Sequence, residues 1–358
     1  LDEFEGFLRL EGGNYDTRRV VGVMNVPLVD HVLAIRLAGS MTQRTGYDYN
    51  SITDNNINGR DLWSGRLSVG FQPVEQLRMN FIWERFNEDD DRLRTGKQLC
   101  HRDPGLAVVG STQVHVDNPG NPYNDLDAVL GPALFSQACL PGSLYADGAF
   151  GTPNGLALPF VFGVEVLGYG DAFPIGVDAM GRAQALLRPQ DPYGGMMQSR
   201  DLREIASIRD PRYRATADLI QLNVDFDLTP HLAFFSQTAY VDDTTYSFQD
   251  FNRFNTVPVF QDTSQFNPVV FGIAPGDWSD LAPGGVFCDP QIGCSDRMAG
   301  FDVSQASATQ FNQEFRLQSS FDGPFNFSIG ANYTQFDVLV DYYIMSNLIT
   351  AMALMPPY

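Results

Sequence analysis

The sequence has no run of about 18 apolar residues, which excludes a transmembrane helix but not barrel strands, since those are short and only half apolar. Lysine is scarce, and 23 basic side chains face 43 acidic ones for a net charge of −20. Nucleic-acid binding needs a basic face, so a nucleic-acid partner is excluded. Catalytic signatures are missing as well. There is no HExxH and no GxSxG elbow, and "VLGYGD" lacks the Lys-Ser/Thr that would complete a phosphate loop. "DYNSITDNNINGRD" has no glutamate in the twelfth-position register, which rules out an EF-hand and leaves a polar hairpin loop. No catalytic residue is nominated, and the chain is read as a non-enzyme. No internal repeat is visible, so a solenoid or propeller is excluded. The chain opens at Leu1 with neither an initiator methionine nor a signal segment. It is therefore expected to be a mature fragment or the ordered part of something longer.

Paired CxxC spacings are absent too, which argues against a zinc site. The four cysteines instead lie in loop-like sequence. Cys288 and Cys294 are close neighbours, and Cys100 and Cys139 bracket a Pro/Gly-rich stretch. Two disulfides in an oxidising compartment are expected. Chain-entropy arithmetic gives the longer closure about 4 kcal/mol and the shorter about 2 kcal/mol.

The dominant positive signal is alternation with period two, the mark of strands. In "LWSGRLSVGFQP" Trp63, Leu67, Val69 and Phe71 share one face with Gly65, and Ser64, Arg66, Ser68 and Gln72 share the other. "LRMNFIWERF" sets Leu77, Met79, Phe81 and Trp83 against Arg78, Asn80 and Glu84. "LIQLNVDFDL" sets Ile220, Leu222, Val224, Phe226 and Leu228 against Gln221, Asn223, Asp225 and Asp227. "FNQEFRLQSSF" sets Phe311, Phe315, Leu317 and Phe321 against Asn312, Glu314, Arg316 and Gln318. Weaker versions run over Phe4–Glu11, Arg19–Val26, Leu33–Met41, Leu232–Val241 and Phe325–Tyr333. Short connections carry turn residues at Pro27, Pro73, Pro230 and Asp322, and after the first hairpin they all fall at one end of the strands. Long polar connections fall at the other, near residues 88–212 and 243–307. Within the first, "DLDAVLGPALFSQACL" reads as a short helix from about Asp125 and "FVFGVEVLGYGD" as a small hairpin.

Short turns at one end and long loops at the other characterise outer-membrane barrels. Lipid cannot satisfy a backbone N–H, so a spanning sheet must close, with an apolar face to lipid and a polar face to the lumen. Trp63, Trp83, Tyr240 and Tyr333 lie near expected strand ends, as interfacial aromatics would. Arg36, Arg66, Arg78, Glu84 and Arg316 are assigned to the lumen, either to line a solute route or to form a charge ladder between neighbouring strands. A soluble sandwich also alternates, and 44% hydrophobic residues leave it open. The expected fold class is all-β, an antiparallel transmembrane sheet of about nine strands. Nine strands cannot stay open in lipid, so the remainder belongs to the same polypeptide or to a second chain.

"GNYDTRRVVGVMNVPLVDHVLAIRLAG" with Gly46-Tyr47, then "LWSGRLSVGFQPVEQLRMNF" and "FNQEFRLQSSFDGPFNFSIGANY", resembles the early barrel strands of TonB-dependent outer-membrane receptors; Phe315 replaces a usual leucine. The resemblance covers about two-fifths of the chain. It implies a 22-stranded barrel plugged by an N-terminal domain, of which residues 1–358 would be the N-terminal part of the barrel, without plug, TonB box or terminal strands. It also implies import of a scarce nutrient such as a siderophore, cobalamin, haem or glycan, energised by TonB-ExbB-ExbD. The partners would include outer-membrane lipid and lipopolysaccharide, and the location would be the bacterial outer membrane. A receptor-derived platform for surface partners, and a secreted β-rich protein, are the competing classes.

Candidate metal ligands are His101, Asp103, His115 and Asp117, close together in the long loop; polar loop surface is the plainer reading. No resident cofactor is expected. Calcium is considered only at the acidic run Phe86–Arg92, with a solvated charge run as its alternative. His31 and His231 are read as exposed turn residues.

Overall fold

The computed structural model describes residues 3–115, 124–159, 176–177, 183–184, 186–251, 253–265 and 279–354. Nine long strands form one antiparallel sheet in chain order. They are β1 (Glu5–Gly13), β2 (Thr17–Val29), β3 (Leu33–Arg44), β4 (Arg60–Val74), β5 (Leu77–Asp90), β6 (Arg212–Thr229), β7 (Leu232–Asp250), β8 (Gly300–Ser319) and β9 (Ser328–Ser346). Each strand pairs with its sequence neighbour, so the sheet is an up-and-down meander. β1 and β9 are its edges among the described residues. The all-β class expected from the alternation is the one observed.

The tight turns fall where the turn chemistry placed them. His31 sits in the β2–β3 turn at φ 56°. Pro27 lies at the register shift between Pro27 and Val29, and Pro73 at the shift between Phe71 and Val74. A proline has no N–H for the ladder, and an irregularity is where a strand tolerates that loss. His231 is exposed, but its Nδ1 lies 3.0 Å from the Ser320 carbonyl, which ties the β6–β7 turn to the β8–β9 turn.

Two loop boundaries and the last strand differ from expectation. β7 runs on to Asp250 and β8 begins at Gly300, so the second long loop covers 251–299 rather than 243–307. β5 ends at Asp90, which makes the first 91–211. The extra segments, such as "VDDTTYSFQD", carry threonine, serine and acids, and beyond an apolar environment a ladder needs no apolar face to persist. β9 was expected to end at Tyr333 and reaches Ser346: beyond Tyr333 the apolar residues Phe336, Val338 and Val340 change to the other face and Gln335, Asp337 and Asp341 take the first, so the expected pattern breaks there.

The buried apolar core lies in the loops. Leu186, Leu187, Val259, Phe260, Ala282 and Phe287 cluster with Leu348 and Ala351 of a short helix over Asn347–Leu354. Cys100, Tyr193 and Phe254 form a second cluster, and Ile292, Ala299 and Phe301 a third. The short helix expected near Asp125 is α1 (Asn124–Ala133), which carries Pro132 in its last turn. The hairpin expected at "FVFGVEVLGYGD" lies outside the described residues.

Candidate functional site

The register places the apolar strand residues in rows across one face. Ile35, Val69, Phe81 and Leu222 share one row, and Leu37, Leu67, Trp83, Ile220, Tyr240 and Phe311 the next. Nothing among the described residues covers this face. Trp63, Trp83 and Tyr240 are each 42% exposed and Tyr333 is 59% exposed. The Trp83 Nε1 donates to Asp218 at 3.3 Å, and Asp218 pairs with Arg85 at 3.5 Å. Charge therefore begins one row beyond the aromatic. Within the band, the Thr238 hydroxyl donates to Gln313 Oε1 at 2.6 Å and the Gln313 amide donates to Ser236 Oγ at 3.1 Å. These polar groups satisfy one another, as an apolar surrounding requires.

The aromatic line is inclined to the rows. Trp63 of β4 shares a row with Asn87, Thr216, Thr244, Ser307 and, on β9, Leu339. On β9 the continuous apolar run ends at Tyr333, six positions from Leu339 towards the short turns; Gln335 and Asp337 interrupt the same face before Leu339 and Tyr343. Six positions of about 3.3 Å, over five strand spacings of about 4.8 Å, give a mean inclination of roughly 40° from end to end, with Trp83, Tyr240 and Phe311 level in one row between the ends. Strands of a membrane barrel tilt by about 35–45°, which would bring this line level with a flat interface.

The opposite face carries the five charged residues expected to face the lumen. Arg66 Nε donates to Glu84 at 2.8 Å, Arg78 meets Asp227 at 3.1 Å, Arg36 lies 4.0 Å from Glu5, and Arg316 stacks 4.7 Å over the Phe235 ring. Phe336, Val338, Val340, Tyr342 and Ile344 of β9 break the rule; they share this face and are all more than half exposed.

At the long-loop end of the polar face lies a cleft of about 460 Å³. Arg19, Arg44 and Arg60 reach it from β2, β3 and β4, Arg203 from the far end of the first long loop, and Tyr15 and Tyr47 complete its wall with Glu11. Local structure fixes each. A parallel pairing of Glu204–Ile205 with Tyr49–Asn50 holds Arg203, and the Tyr49 amide donates to the Arg203 carbonyl at 2.8 Å. Gly46 has no Cβ, and any added there would lie 1.9 Å from the Ile57 carbonyl oxygen. Asp210 accepts from Asn50 at 2.8 Å and from Thr53 and Asn55 at 2.6 Å, clamping the hairpin beyond Tyr47. Lys97, the only lysine of the sequence, donates to the Ser199 and Asp201 carbonyls, and burial holds its pKa below the usual value. In the cleft, Arg44 and Arg203 lie 4.6 and 5.2 Å from the Tyr47 ring centre, and Arg203 donates to the Tyr15 hydroxyl at 3.1 Å. Burial raises the Asp48 pKa, against its hydrogen bond from Asn58 and the pull of Arg203 and Arg44. None of the arginines was singled out from sequence except as part of a family motif, since they are far apart along the chain.

The expected metal ligands are placed less favourably. Asp103 accepts the amides of Gln137 at 2.7 Å and Gly105 at 2.9 Å, which hold its carboxyl below the ordinary range. His101 Nε2 lies 3.3 Å from the Ser143 carbonyl, His115 is half-buried, and Asp117 is outside the described residues. No group of three or more His, Cys, Asp or Glu side chains arranged to hold a metal occurs among the described residues. The acidic run is divided between separate partners. Glu88 meets Arg92 at 3.4 Å, Asp89 meets Arg214 at 3.3 Å, and Asp91 accepts the Gly59 amide. Cys100 is bonded to Cys139 and Cys288 to Cys294.

No protein-family model matches the chain, and no curated protein sequence matches it. Among solved structures, the siderophore receptor PiuA from Acinetobacter baumannii is 11% identical at TM-score 0.44, over 95% of this chain and 31% of that one. The ferric yersiniabactin uptake receptor FyuA from Yersinia pestis is 10% identical at TM-score 0.35, over 96% of this chain and 44% of that one. FpvA of P. aeruginosa, bound to heterologous pyoverdines, is 10% identical at TM-score 0.33, over 97% and 39%. The chain spans less than half the length of each.

Proposed function

We propose that the chain forms nine strands of a transmembrane β-barrel in a bacterial outer membrane, within a TonB-dependent receptor that imports a scarce nutrient. One observation carries the reading: the strands leave their apolar side chains exposed in a band bounded by an inclined aromatic line, while the buried core lies in the loops. A soluble sandwich would bury that face against a second sheet. The polar face, with Arg66–Glu84 and Arg78–Asp227, then borders the lumen. The early-strand motifs that resemble this receptor family supply the transport reading, and with it coupling to TonB-ExbB-ExbD. β1 and β9 are edges that lipid would not tolerate, so further strands complete the barrel.

The test is heat-modifiable gel migration of the species extracted from membranes in detergent, with mass spectrometry of the unheated band. A heat-shifted band containing this sequence with plug and later strands is the expected result. A band that does not shift, from a protein found outside the membrane fraction, refutes the barrel. A second reading, a barrel serving as a platform for surface partners, is favoured by loops that carry their own core and two disulfides. A barrel band without TonB-dependent uptake would select it.

A further inference from the structure

The cleft at the loop end of the polar face is a concentration of positive charge in a chain of net charge −20. Arg19 has a carboxylate counterpart, Glu11, at 3.8 Å. Arg44, Arg60 and Arg203 form no ion pair within 4.0 Å among the described residues. Their hydrogen bonds go to neutral acceptors instead. Arg44 Nη2 donates to the Asn58 carbonyl at 2.8 Å, Arg60 Nη1 to the Gly59 carbonyl at 2.6 Å, and Arg203 to the Tyr15 hydroxyl at 3.1 Å. Arg44 Nε is buried with no hydrogen-bond partner. Asp48, whose charge acts on both Arg44 and Arg203, is engaged by the Asn58 amide at 2.7 Å. With 43 acidic residues in the chain, three arginines face this cleft without an ion pair, and Glu11, beside Arg19, is the one carboxylate of its wall.

Guanidinium groups are held apart here with their planes fixed by carbonyls and by the Tyr47 ring, so less of their motion remains to be lost on binding. The space, about 460 Å³, is that of a small-molecule site. We infer that this cleft binds a compact polyanionic solute presenting several closely spaced carboxylate-type oxygens, bridging arginines of β2–β4 and the first long loop. Arg203 belongs to that loop, so the bound anion joins loop to sheet. The inference deepens the uptake reading and rests on it for the source of the solute; the binding itself does not depend on transport.

The experiment is calorimetric titration of the detergent-purified whole protein with propane-1,2,3-tricarboxylate, with inorganic phosphate, and with glycerol as the uncharged counterpart. The tricarboxylate is expected to bind and glycerol not to. R44Q and R203Q should each weaken the tricarboxylate about tenfold or more, through loss of a charge-assisted contact. R212Q, on the opposite face beside Asp89, should leave the affinity unchanged. Heat-modifiable migration of each variant establishes that it has folded. No tricarboxylate binding, or equal affinity in R203Q and R212Q, overturns the assignment. Phosphate binding as tightly as the tricarboxylate overturns the requirement for several anionic groups. Binding that survives in a protein whose cells import nothing would remove the uptake reading and leave the cleft in place.

Discussion

Leu222 offers the sharpest test of which face meets lipid. It lies in β6 between Phe81 of β5 and Thr238 of β7, two positions from Ile220 and thus one row inside the aromatic row of Trp83 and Tyr240. Asn223, its sequence neighbour, points to the opposite face. An arginine at the midplane of a barrel's lipid face costs about 2–4 kcal/mol, falling to about 0–1 kcal/mol near the interface. At 1.4 kcal/mol per factor of ten, Leu222→Arg should reduce the folding equilibrium by roughly 30- to 1000-fold. Asn223→Arg should change it little. Along β6 the penalty should peak at Val224 and Leu222, decline at Ile220 and be small at Thr216, beyond the Arg85–Asp218 pair. The assay is urea titration of folding into lipid vesicles, read by heat-modifiable migration. Equal penalties at Leu222 and Asn223 would refute the assignment of the faces.

Two further outcomes concern the loops. Cys100→Ser with Cys139→Ser removes a closure across 39 residues, worth about 4 kcal/mol in chain entropy. Limited proteolysis should then cut within 101–138 while the strands stay protected, and an unchanged digestion pattern would show that packing alone orders the segment. Asp103 has its carboxyl pKa depressed by the Gln137 and Gly105 amides. Its stabilising contribution is therefore complete above the unfolded value, about 4, and is lost as pH falls through the lower folded value. Hydrogen exchange at the Gln137 amide, corrected for intrinsic rate, should show protection lost on acidification and absent at neutral pH in Asp103→Ala; protection that ignores pH in the parent protein would contradict this.

Much of the sheet was legible because a two-faced strand must write its environment into alternate residues. Trp63 to Phe71 and Ile220 to Phe226 did so, and the structure keeps those faces. The ends of β7 and β8 did not, since beyond the aromatic row acids, threonine and serine mix with Tyr246, Phe248 and Phe301 and the alternation is lost. β9 failed for another reason: its alternation changes phase after Tyr333, with Phe336, Val338 and Val340 on the polar face and Asp337 and Asp341 on the apolar one. Cys288 and Cys294 could be paired by proximity in sequence, and Cys100 with Cys139 as a local pair bracketing a Pro/Gly-rich stretch. The cleft could not be read at all. Arg203 and Tyr15 are 188 residues apart and meet only because Glu204–Ile205 runs parallel to Tyr49–Asn50, a pairing with no sequence signature.

The inclination of the aromatic line joins two kinds of information that neither sequence nor register holds alone. Sequence marks where each strand's apolar run stops, at Trp63, Trp83, Tyr240, Phe311 and Tyr333. Register says how those stops are staggered. In a soluble sheet the stops follow the edge of a facing layer and need follow no common slope. In a bilayer the stops meet one flat plane, so their mean slope across the sheet should match the strand tilt, and the end-to-end value of roughly 40° is the tilt that barrel closure demands. The same argument fixes a second arginine scan. In β3 the apolar run extends from Leu33 to Met41 and centres on Leu37, which shares its row with Ile220 rather than Leu222. The penalty maximum in β3 should therefore sit at least one row nearer the long loops than in β6. Maxima in a single row would mean strands upright in the membrane, and the inclined line would then have some cause other than lipid.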